Sequence, residues 1–144
     1  MRQLVGAACG LWAALAPPVL AEPVVVVELF TSQGCASCPP ADEFLEALVK
    51  DPRVIPLSLH VDYWDYIGWE DSFADPKFTE RQKAYARASG SRMIYTPQMI
   101  VDGEERVEGY APEELAVHLG DHLAQPAQVV LSVQRKGDVL VIRA

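Results

Sequence analysis

The chain has 144 residues, of which 50% are hydrophobic and 22% are charged, so it is too apolar for a disordered segment and long enough for one compact core. Its formal net charge is −8, and its lysine and arginine residues form no long run, which excludes the basic surface that nucleic-acid binding requires. Beyond the N-terminus, no apolar stretch reaches the roughly 18 residues that a membrane helix needs.

Residues 1–21 have the pattern of a secretory signal peptide. A single positive charge, Arg2, precedes an apolar run from Leu4 to Ala16, and a proline pair then leads to the small residue Ala21. We predict cleavage after Ala21 and a periplasmic or secreted protein without a stable membrane anchor. An uncleaved anchor helix is the alternative, which the shortness of the run disfavours.

Removal of the signal peptide leaves two of the three cysteines, Cys35 and Cys38, in a C-x-x-C arrangement. Disulfides persist in oxidising compartments outside the cytoplasm, so this pair is expected to form one. A bond across so short a loop removes little entropy from the unfolded chain and stabilises the fold little. We therefore expect a chemical purpose for the pair, with a purely structural disulfide as the alternative.

The first half of the mature chain has the pattern of alternating strands and helices. The run Val24–Phe30 is typical of a strand buried on both faces. A helix is expected after Pro39-Pro40, with apolar residues at 41, 44, 45, 48 and 49, and a second strand over Val54–Leu59. Elements of these lengths predict a right-handed βαβ unit with parallel strands.

Residues 60–93 interrupt this pattern with an aromatic and acidic loop followed by a helix. In the loop, Trp64 and Trp69 either cover the edge of the core or line a groove for a partner polypeptide. Asp75-Pro76 predicts the start of the helix, and Ser89-Gly90 predicts its end. The acids of the loop and the bases of the helix are interpreted as a solvated charge pattern. Those bases are Lys77, Arg81, Lys83 and Arg87.

The last part of the chain predicts two hairpins separated by a helix. Asp102-Gly103 between short apolar runs is a strong hairpin signal. The helix is expected to begin at Pro112, with apolar residues at 115, 117, 119 and 123. The runs Val129–Val133 and Val139–Ile142 predict the second hairpin.

These patterns divide the chain into a signal peptide (1–21), an α/β domain (22–125) and a C-terminal β-hairpin region (126–144). An isolated two-stranded hairpin is marginal in water. We therefore expect the last region to be loosely ordered, with an exposed edge that favours self-association. Its deletion is expected to leave the chemistry of the cysteines intact.

The order strand, C-x-x-C, helix, strand, insertion, Thr-Pro, hairpin, helix resembles the thioredoxin fold from about Val24 to Ala124. Four segments further resemble the domain-of-unknown-function family 1223, secreted bacterial proteins of thioredoxin-like fold. They are Glu28–Cys35, Cys38–Asp42, His60–Tyr66 and Tyr95–Gln98. The resemblance implies export and a thioredoxin-like α/β fold with an inserted aromatic loop plus helix and a C-terminal β-hairpin. Members of the family usually continue with further β structure, so the chain looks truncated relative to them.

The chemistry expected of Cys35 and Cys38 is thiol–disulfide exchange with protein thiols or disulfides, without a cofactor. A cysteine at a helix N-terminus has its thiolate stabilised by unpaired N–H groups and the helix dipole. Cys35, on the loop side, is the expected attacker, and Cys38, one turn into the helix, is the expected resolving cysteine. The sequence predicts neither the direction of electron flow nor the oligomeric state.

The resemblance implies catalytic roles for three further residues. The proline that matches Pro97 is cis in thioredoxin-like proteins and packs against the disulfide, and the backbone of Thr96 before it would hydrogen-bond an extended substrate. Glu28 matches the buried acid that moves protons during resolution. Its other interpretation is a carboxylate at a strand end that reaches solvent.

Metal binding is the competing interpretation of the cysteines. Cys35, Cys38 and His60 would give a copper site resembling that of the copper-delivery branch of the fold, so a metallochaperone or a redox-inert binding module is the alternative function. His118 and His122 would complete a zinc set, but the 79 residues between Cys38 and His118 are far outside zinc-finger spacing. We predict no bound metal.

Overall fold

The computed structural model of the protein describes residues 23–126, 129 and 131–143. The predicted signal peptide, residues 1–21, lies outside the described residues. No helix within the described ranges is long and apolar enough to cross a membrane. The strands are β1 (Val25–Thr31), β2 (Val54–His60), β3 (Gln98–Val101), β4 (Glu105–Glu108), β5 (Ser132–Lys136) and β6 (Val139–Arg143). The α-helices are α1 (Pro39–Leu48), α2 (Pro76–Ala88) and α3 (Pro112–Leu123), and a short 3₁₀ helix spans Asp65–Ile67.

A four-stranded sheet in the order β2-β1-β3-β4 forms the centre of the fold. The predicted βαβ unit is confirmed, because β1 and β2 pair in parallel around α1. The predicted hairpin at Asp102-Gly103 is also confirmed, since β3 pairs antiparallel with both β1 and β4. The result is a mixed α/β fold with an additional C-terminal hairpin, an arrangement compatible with the thioredoxin-like fold.

The strand β1 divides the core into two clusters, because its alternate side chains point to opposite faces of the sheet. Val27 and Leu29 pack in the cluster that contains Ala41 and Leu45 of α1. Phe30 packs in the other cluster, together with side chains of the inserted loop and of α2. Odd-numbered residues of β1 therefore face α1, whereas even-numbered residues face α2.

The predicted helices are confirmed, but two of their expected apolar contacts are wrong. Val49 is 66% exposed, because α1 ends at Leu48 and Val49 is already its C-cap residue. Val117 is 61% exposed, since α3 buries its Leu115 side and leaves the opposite side in solvent.

The C-terminal hairpin exists, but its first strand begins later than predicted. The tight turn at Gly137-Asp138 pairs Lys136 with Val139 and Ser132 with Arg143, so β5 occupies residues 132–136 rather than 129–133. The turn fixes the register of a hairpin. The strand therefore includes polar residues that a purely hydrophobic pattern excludes.

The interpretation of the charges of the insert as a solvated pattern is wrong for two residues. Asp71 is only 3% exposed, because three hydrogen bonds hold its carboxylate inside the loop. Arg81 of α2 makes an ion pair with the buried carboxylate of Glu28. The remaining bases of α2 lie on its exposed side.

Candidate functional site

A disulfide bond between Cys35 and Cys38 lies in the loop that joins β1 to α1, with an S–S distance of 2.07 Å. The loop turns tightly, since Cys35 N–H donates to the carbonyl of Ser32 (3.0 Å) and Cys38 N–H donates to that of Cys35 (3.2 Å). Cys38 is the N-cap residue of α1, and prolines occupy the first two helical positions. Because the first N–H groups of a helix have no intrahelical partner, prolines interrupt nothing there.

The two cysteines differ in their access to solvent. Cys35 retains a 4% exposed fraction, whereas Cys38 has none. Of the two residues, only Cys35 therefore has any surface in contact with solvent. This order of access is the one that the predicted roles of attacking and resolving cysteine require, and the roles themselves remain predictions.

The Thr96–Pro97 peptide bond lies beside the cysteine loop and is cis. The strand β3 runs antiparallel to β1 and begins with Gln98 opposite Phe30, so Pro97 lies at the end of β1 from which the cysteine loop departs. Pro97 is buried, and its carbonyl accepts a hydrogen bond from Gly109 N–H (3.0 Å). The contact of Thr96 with an extended substrate remains a prediction.

Trp64 attaches the inserted loop both to the Thr96–Pro97 segment and to the cysteine loop. The indole Nε1 of Trp64 donates to the hydroxyl of Thr96 at 2.8 Å. The insert also approaches Gly34 closely. A Cβ atom added to Gly34 would lie 3.0 Å from the Cβ atom of Trp64 and 3.1 Å from the Cδ1 atom of Ile67. A glycine directly before Cys35 is therefore what allows the insert to cover the cysteine loop.

The part of the insert beyond Trp64 leaves aromatic side chains in solvent beside the site. Trp69 is largely exposed, yet its Nε1 donates to the side chain of Gln33, two residues before Cys35 (2.9 Å). Tyr66 is 81% exposed and stacks on Trp64. Trp64 thus covers the core edge, as the first of the two interpretations held, whereas Trp69 and Tyr66 remain available to a partner.

The buried carboxylate of Asp71 joins the insert to the loop and to β2. It accepts hydrogen bonds from Gln33 N–H (2.8 Å), from Nδ1 of His60 (2.7 Å) and from Phe73 N–H (3.0 Å). Burial alone would raise the pKa of Asp71, but these hydrogen bonds outweigh it and lower that pKa below its ordinary value. Asp71 is therefore an ionised carboxylate that orders the segment before Cys35.

A second polar group lies on the α1 face of the sheet. Thr31 is fully buried at the end of β1, and its hydroxyl has no hydrogen-bond partner of good geometry among the described residues. It faces the carboxylate of Asp42, in the first turn of α1. Burial raises the pKa of Asp42, while Thr31 and His60 oppose that rise and Asp71 adds to it. His60 pairs with Thr31 in the strand register and lies at the same end of β2.

Glu28 lies on the face of β1 that is turned away from α1. Its carboxylate is 3% exposed and accepts two hydrogen bonds from the guanidinium of Arg81 (2.5 and 2.6 Å) and one from the hydroxyl of Tyr85 (2.9 Å). Cys38, by contrast, begins α1 on the other face. Glu28 and Cys38 thus lie on opposite sides of the sheet, and the carboxylate of Glu28 is held in a buried ion pair instead of reaching solvent.

The candidate metal ligands of the sequence do not converge. Within the described ranges, the one group of three residues that could hold a metal ion consists of Glu104, Glu105 and His122, and it contains neither cysteine. In that group, Nε2 of His122 already bonds Glu105. His60 bonds Asp71 through Nδ1, and His118 lies 3.8 Å from Glu114 on its own helix.

Sequence reasoning missed Asp42 and Asp71 as components of the site. The position of Asp42, four residues after Cys38, was a usable signal, because residues four apart share a helix face. Asp71 gave no such signal, since its partners lie far away in the chain and only the folded insert brings them together.

Comparisons with known proteins find one family model and a similar solved structure. The model of the family described as Protein of unknown function (DUF1223) matches residues 26–143. A crystal structure of a protein from Agrobacterium tumefaciens, determined by a structural genomics consortium, is 46% identical and superposes with a TM-score of 0.74. The match covers 85% of this chain and 56% of the Agrobacterium protein, so the chain spans little more than half the length of that relative. A comparison with curated proteins finds no match.

Proposed function

The chain belongs to the DUF1223 family, and from its own site we propose that it is an exported thiol–disulfide oxidoreductase that exchanges disulfides with proteins through Cys35 and Cys38. The observation that carries the proposal is the asymmetric disulfide at the start of α1. Cys35 keeps an exposed fraction of 4%, whereas Cys38 has none. A structural disulfide has no need of this asymmetry, whereas an exchange reaction requires that the partner attack one defined sulfur.

The position of the site favours a reactive thiolate at Cys35. Prolines remove the first two N–H donors of α1, so the helix acts on the reduced site through the positive end of its dipole. This dipole lowers the free energy of a thiolate at Cys35 relative to its thiol. The thiolate is the form that attacks a disulfide.

The exchange proceeds in two steps with balanced electrons. The Cys35 thiolate attacks one sulfur of a substrate disulfide, which forms a mixed disulfide and releases the first substrate thiolate. The Cys38 sulfur then attacks Cys35 Sγ, which closes the Cys35–Cys38 bond and releases the second substrate thiolate. The substrate is reduced by two electrons and the protein is oxidised by two, and the reverse sequence oxidises a substrate dithiol.

The surroundings of the disulfide favour a polypeptide as substrate. Trp69 and Tyr66 present exposed rings next to the cysteine loop, and aromatic side chains are frequent anchors in protein interfaces. Glu70, the residue that follows Trp69, is exposed as well. This chemistry fits an apolar segment, free of acidic side chains, that carries a cysteine.

Alkylation of the reduced protein tests the proposal at the level of the two thiols. We expect iodoacetamide near neutral pH to label Cys35 about tenfold faster than Cys38 or more, because a helix-stabilised thiolate reacts at a pH where an ordinary thiol is protonated. Mass spectrometry of the quenched samples assigns the label. Equal and slow labelling of both cysteines would leave only a structural bridge.

Covalent trapping tests the exchange itself. In a reduced Cys38→Ser variant the mixed disulfide has no internal thiol to resolve it, so we expect covalent adducts on Cys35 with a model protein that carries an accessible disulfide. The matched Cys35→Ser variant, which keeps the enclosed cysteine, should form none. Adducts in equal amounts with both variants would contradict the proposed assignment of the attacking sulfur.

A further inference from the structure

A polar cluster lies on the α1 face of the sheet, near the start of the helix for which Cys38 is the N-cap residue. It consists of the hydroxyl of Thr31, the carboxylate of Asp42 and the imidazole of His60. The face is otherwise built from aliphatic side chains such as Leu29 and Leu45. A buried polar group without a partner lowers the stability of a fold, so the retention of the Thr31 hydroxyl needs a reason.

The helix geometry brings the carboxylate of Asp42 towards the sulfur of Cys38. Cys38 has helical backbone angles, and Asp42 N–H donates to its carbonyl at 3.1 Å, which closes the first α-helical turn. Side chains four residues apart lie on one face of a helix, and each leans towards the helix N-terminus. The carboxylate of Asp42 is thus directed along α1 towards its N-cap residue.

Thr31 gives an independent indication that this cluster handles a proton. Its hydroxyl is completely buried and has no well-formed hydrogen bond in the described part of the chain, which is an unfavourable arrangement for a purely structural residue. A hydroxyl can donate to a carboxylate and accept from a thiol, so a reduced Cys38 and an ionised Asp42 together would satisfy it.

Other elements shape the electrostatics of Asp42. Burial raises its pKa, and Asp71 of the insert adds to that rise, while Thr31 of β1 and His60 of β2 oppose it. The carboxyl group also borders a surface groove, so it can exchange protons with water. The groove is lined by Asp42, Leu45, Glu46, Val49, Pro56, Ser58 and His60.

We propose that Asp42 is the proton acceptor for Cys38 in disulfide exchange, an assignment that rests on the proposed function. When Cys38 resolves a mixed disulfide, its S–H proton passes to the Asp42 carboxylate and the resulting thiolate attacks Cys35 Sγ. The new S–S bond forms as the substrate sulfur leaves with its electron pair. In the reverse direction, Cys38 leaves as a thiolate and recovers the proton from Asp42.

This assignment separates the two acids that β1 and α1 place near the site. Glu28 is paired with Arg81 and hydrogen-bonded by Tyr85 on the α2 face, whereas Cys38 begins α1 on the other face. Asp42 has no arginine or lysine among the groups of the described chain that shift its pKa, so its carboxylate remains available to a proton. The proton-transfer role that the resemblance implied for Glu28 thus passes to Asp42.

Stopped-flow kinetics with an aromatic disulfide test the proposal. Reduced protein reacts with dithiobis(nitrobenzoate) to give a mixed disulfide on Cys35, and attack by Cys38 then releases the second thionitrobenzoate. We expect Asp42→Asn to slow this second release near neutral pH on the order of a hundredfold, a loss typical for removal of a positioned base. The difference from the unmodified protein should vanish at pH values below the pKa of Asp42, where the native carboxyl is protonated as well.

Glu46→Gln is the matched control, because Glu46 lies one turn farther from Cys38 on the same helix and borders the same groove. It should release the second thionitrobenzoate at the native rate. An Asp42→Asn variant with the native rate and the native pH profile would overturn the role of Asp42 while leaving the oxidoreductase proposal intact. Failure of the unmodified protein to release a second thionitrobenzoate would overturn both.

A titration of the unmodified protein keeps the proposal testable if the Asp42→Asn variant does not fold. Carboxyl carbon shifts of Asp42, followed by NMR in the oxidised and reduced states, report its pKa in each. A thiol or thiolate of Cys38 next to the carboxylate should change that pKa on reduction. Identical titration of Asp42 in both states would overturn the assignment.

Discussion

Glu28 lies between Val27 and Leu29 in β1, so its side chain points to the opposite face of the sheet from theirs. This direction determines which groups the carboxylate of Glu28 contacts. The strand directs Glu28 to α2, where Arg81 supplies two hydrogen bonds and Tyr85 a third. The sequence shows the strand and the acid, but the face on which each helix packs is a property of the assembled fold. The burial of Glu28 was therefore predictable from the strand pattern, whereas its partner was not.

Substitutions at the Glu28–Arg81 pair should lower stability without affecting exchange. We expect Glu28→Gln to lower the free energy of unfolding by about 1–2 kcal/mol, since Arg81 is half exposed and regains water. Arg81→Leu should cost more, about 3 kcal/mol, because it leaves the Glu28 carboxylate buried and unpaired. Urea denaturation measures both values. A slower release of thionitrobenzoate by a folded Glu28→Gln variant would show that Glu28 takes part in disulfide exchange.

His122 connects the end of α3 to the hairpin of β3 and β4. Its side chain is mostly buried, with Nε2 bonded to Glu105 (2.5 Å) and Nδ1 3.5 Å from Asp102. The hydrogen bond to Glu105 is the main cause that raises the pKa of His122, against the opposing effect of burial. Burial would raise the pKa of Glu105, but the bond to His122 outweighs it and lowers that pKa.

These two shifts define the pH range in which the pair stabilises the fold. The contribution of His122 is complete below its ordinary pKa of 6.5 and is lost as the pH rises through the raised value. That of Glu105 is complete above its ordinary pKa of 4.5 and is lost as the pH falls through the lowered value. The pair is therefore most stabilising between these limits.

We expect His122→Gln to lower the free energy of unfolding by about 1 kcal/mol near pH 6, and by clearly less near pH 9. His118→Gln, one turn earlier on α3, is the control and should change it by less than about 0.5 kcal/mol at either pH. Urea denaturation at the two pH values gives both differences. A loss for His122→Gln that is equal at both would contradict the ionised pair.

At the scale of elements, the hydrophobic pattern predicted nearly every strand and helix, because each buries one face or both. What it did not predict is the way in which the insert attaches. Trp64 and Asp71 reach Thr96 and Gln33 through contacts between residues more than 30 positions apart. No local pattern encodes such a contact. The sequence therefore could not show which aromatic side chains of the insert are exposed, or which of its acidic side chains is buried.

The close approach of Trp64 to Gly34 gives a direct test of this attachment. We expect Gly34→Ala to lower the free energy of unfolding by about 1–3 kcal/mol, since the added Cβ would lie 3.0 Å from Trp64 Cβ. The indole N–H of Trp64, which donates to Thr96, should exchange with solvent faster in this variant. Urea denaturation and hydrogen exchange measured by NMR report the two effects.

Gly120→Ala in α3 is the matched control, because a Cβ there meets no atom within 4 Å. It should raise the free energy of unfolding by about 0.5–1 kcal/mol through the better helix propensity of alanine. If Gly34→Ala were as stable as the unmodified protein, the insert would not be held against the cysteine loop.

At the scale of the whole molecule, the hairpin of β5 and β6 forms a sheet of its own beside the main domain. Its apolar side chains remain in solvent; Val133, Val139, Leu140 and Ile142 are each more than 60% exposed. The loose ordering and the self-association expected of this region remain predictions.

Deletion of residues 127–144 should leave disulfide exchange at Cys35 and Cys38 unchanged and reduce self-association, since exposed apolar strands invite pairing between chains. Sedimentation velocity measures association, and thionitrobenzoate release measures exchange. The single substitution Ile142→Lys should reduce association in the same direction without shortening the chain. A deletion variant that fails to fold would show that the hairpin belongs to the core.

The most direct test of the central claim is a redox titration of the Cys35–Cys38 bond in glutathione buffers, with the metal content of the same sample determined. Disulfides that take part in exchange have reduction potentials above about −300 mV, whereas structural disulfides in secreted proteins lie below that value. We predict one two-electron transition above about −300 mV in a protein free of bound metal. A bond that stays oxidised below that potential would contradict an oxidoreductase, and stoichiometric copper on the reduced cysteines would favour a metallochaperone instead.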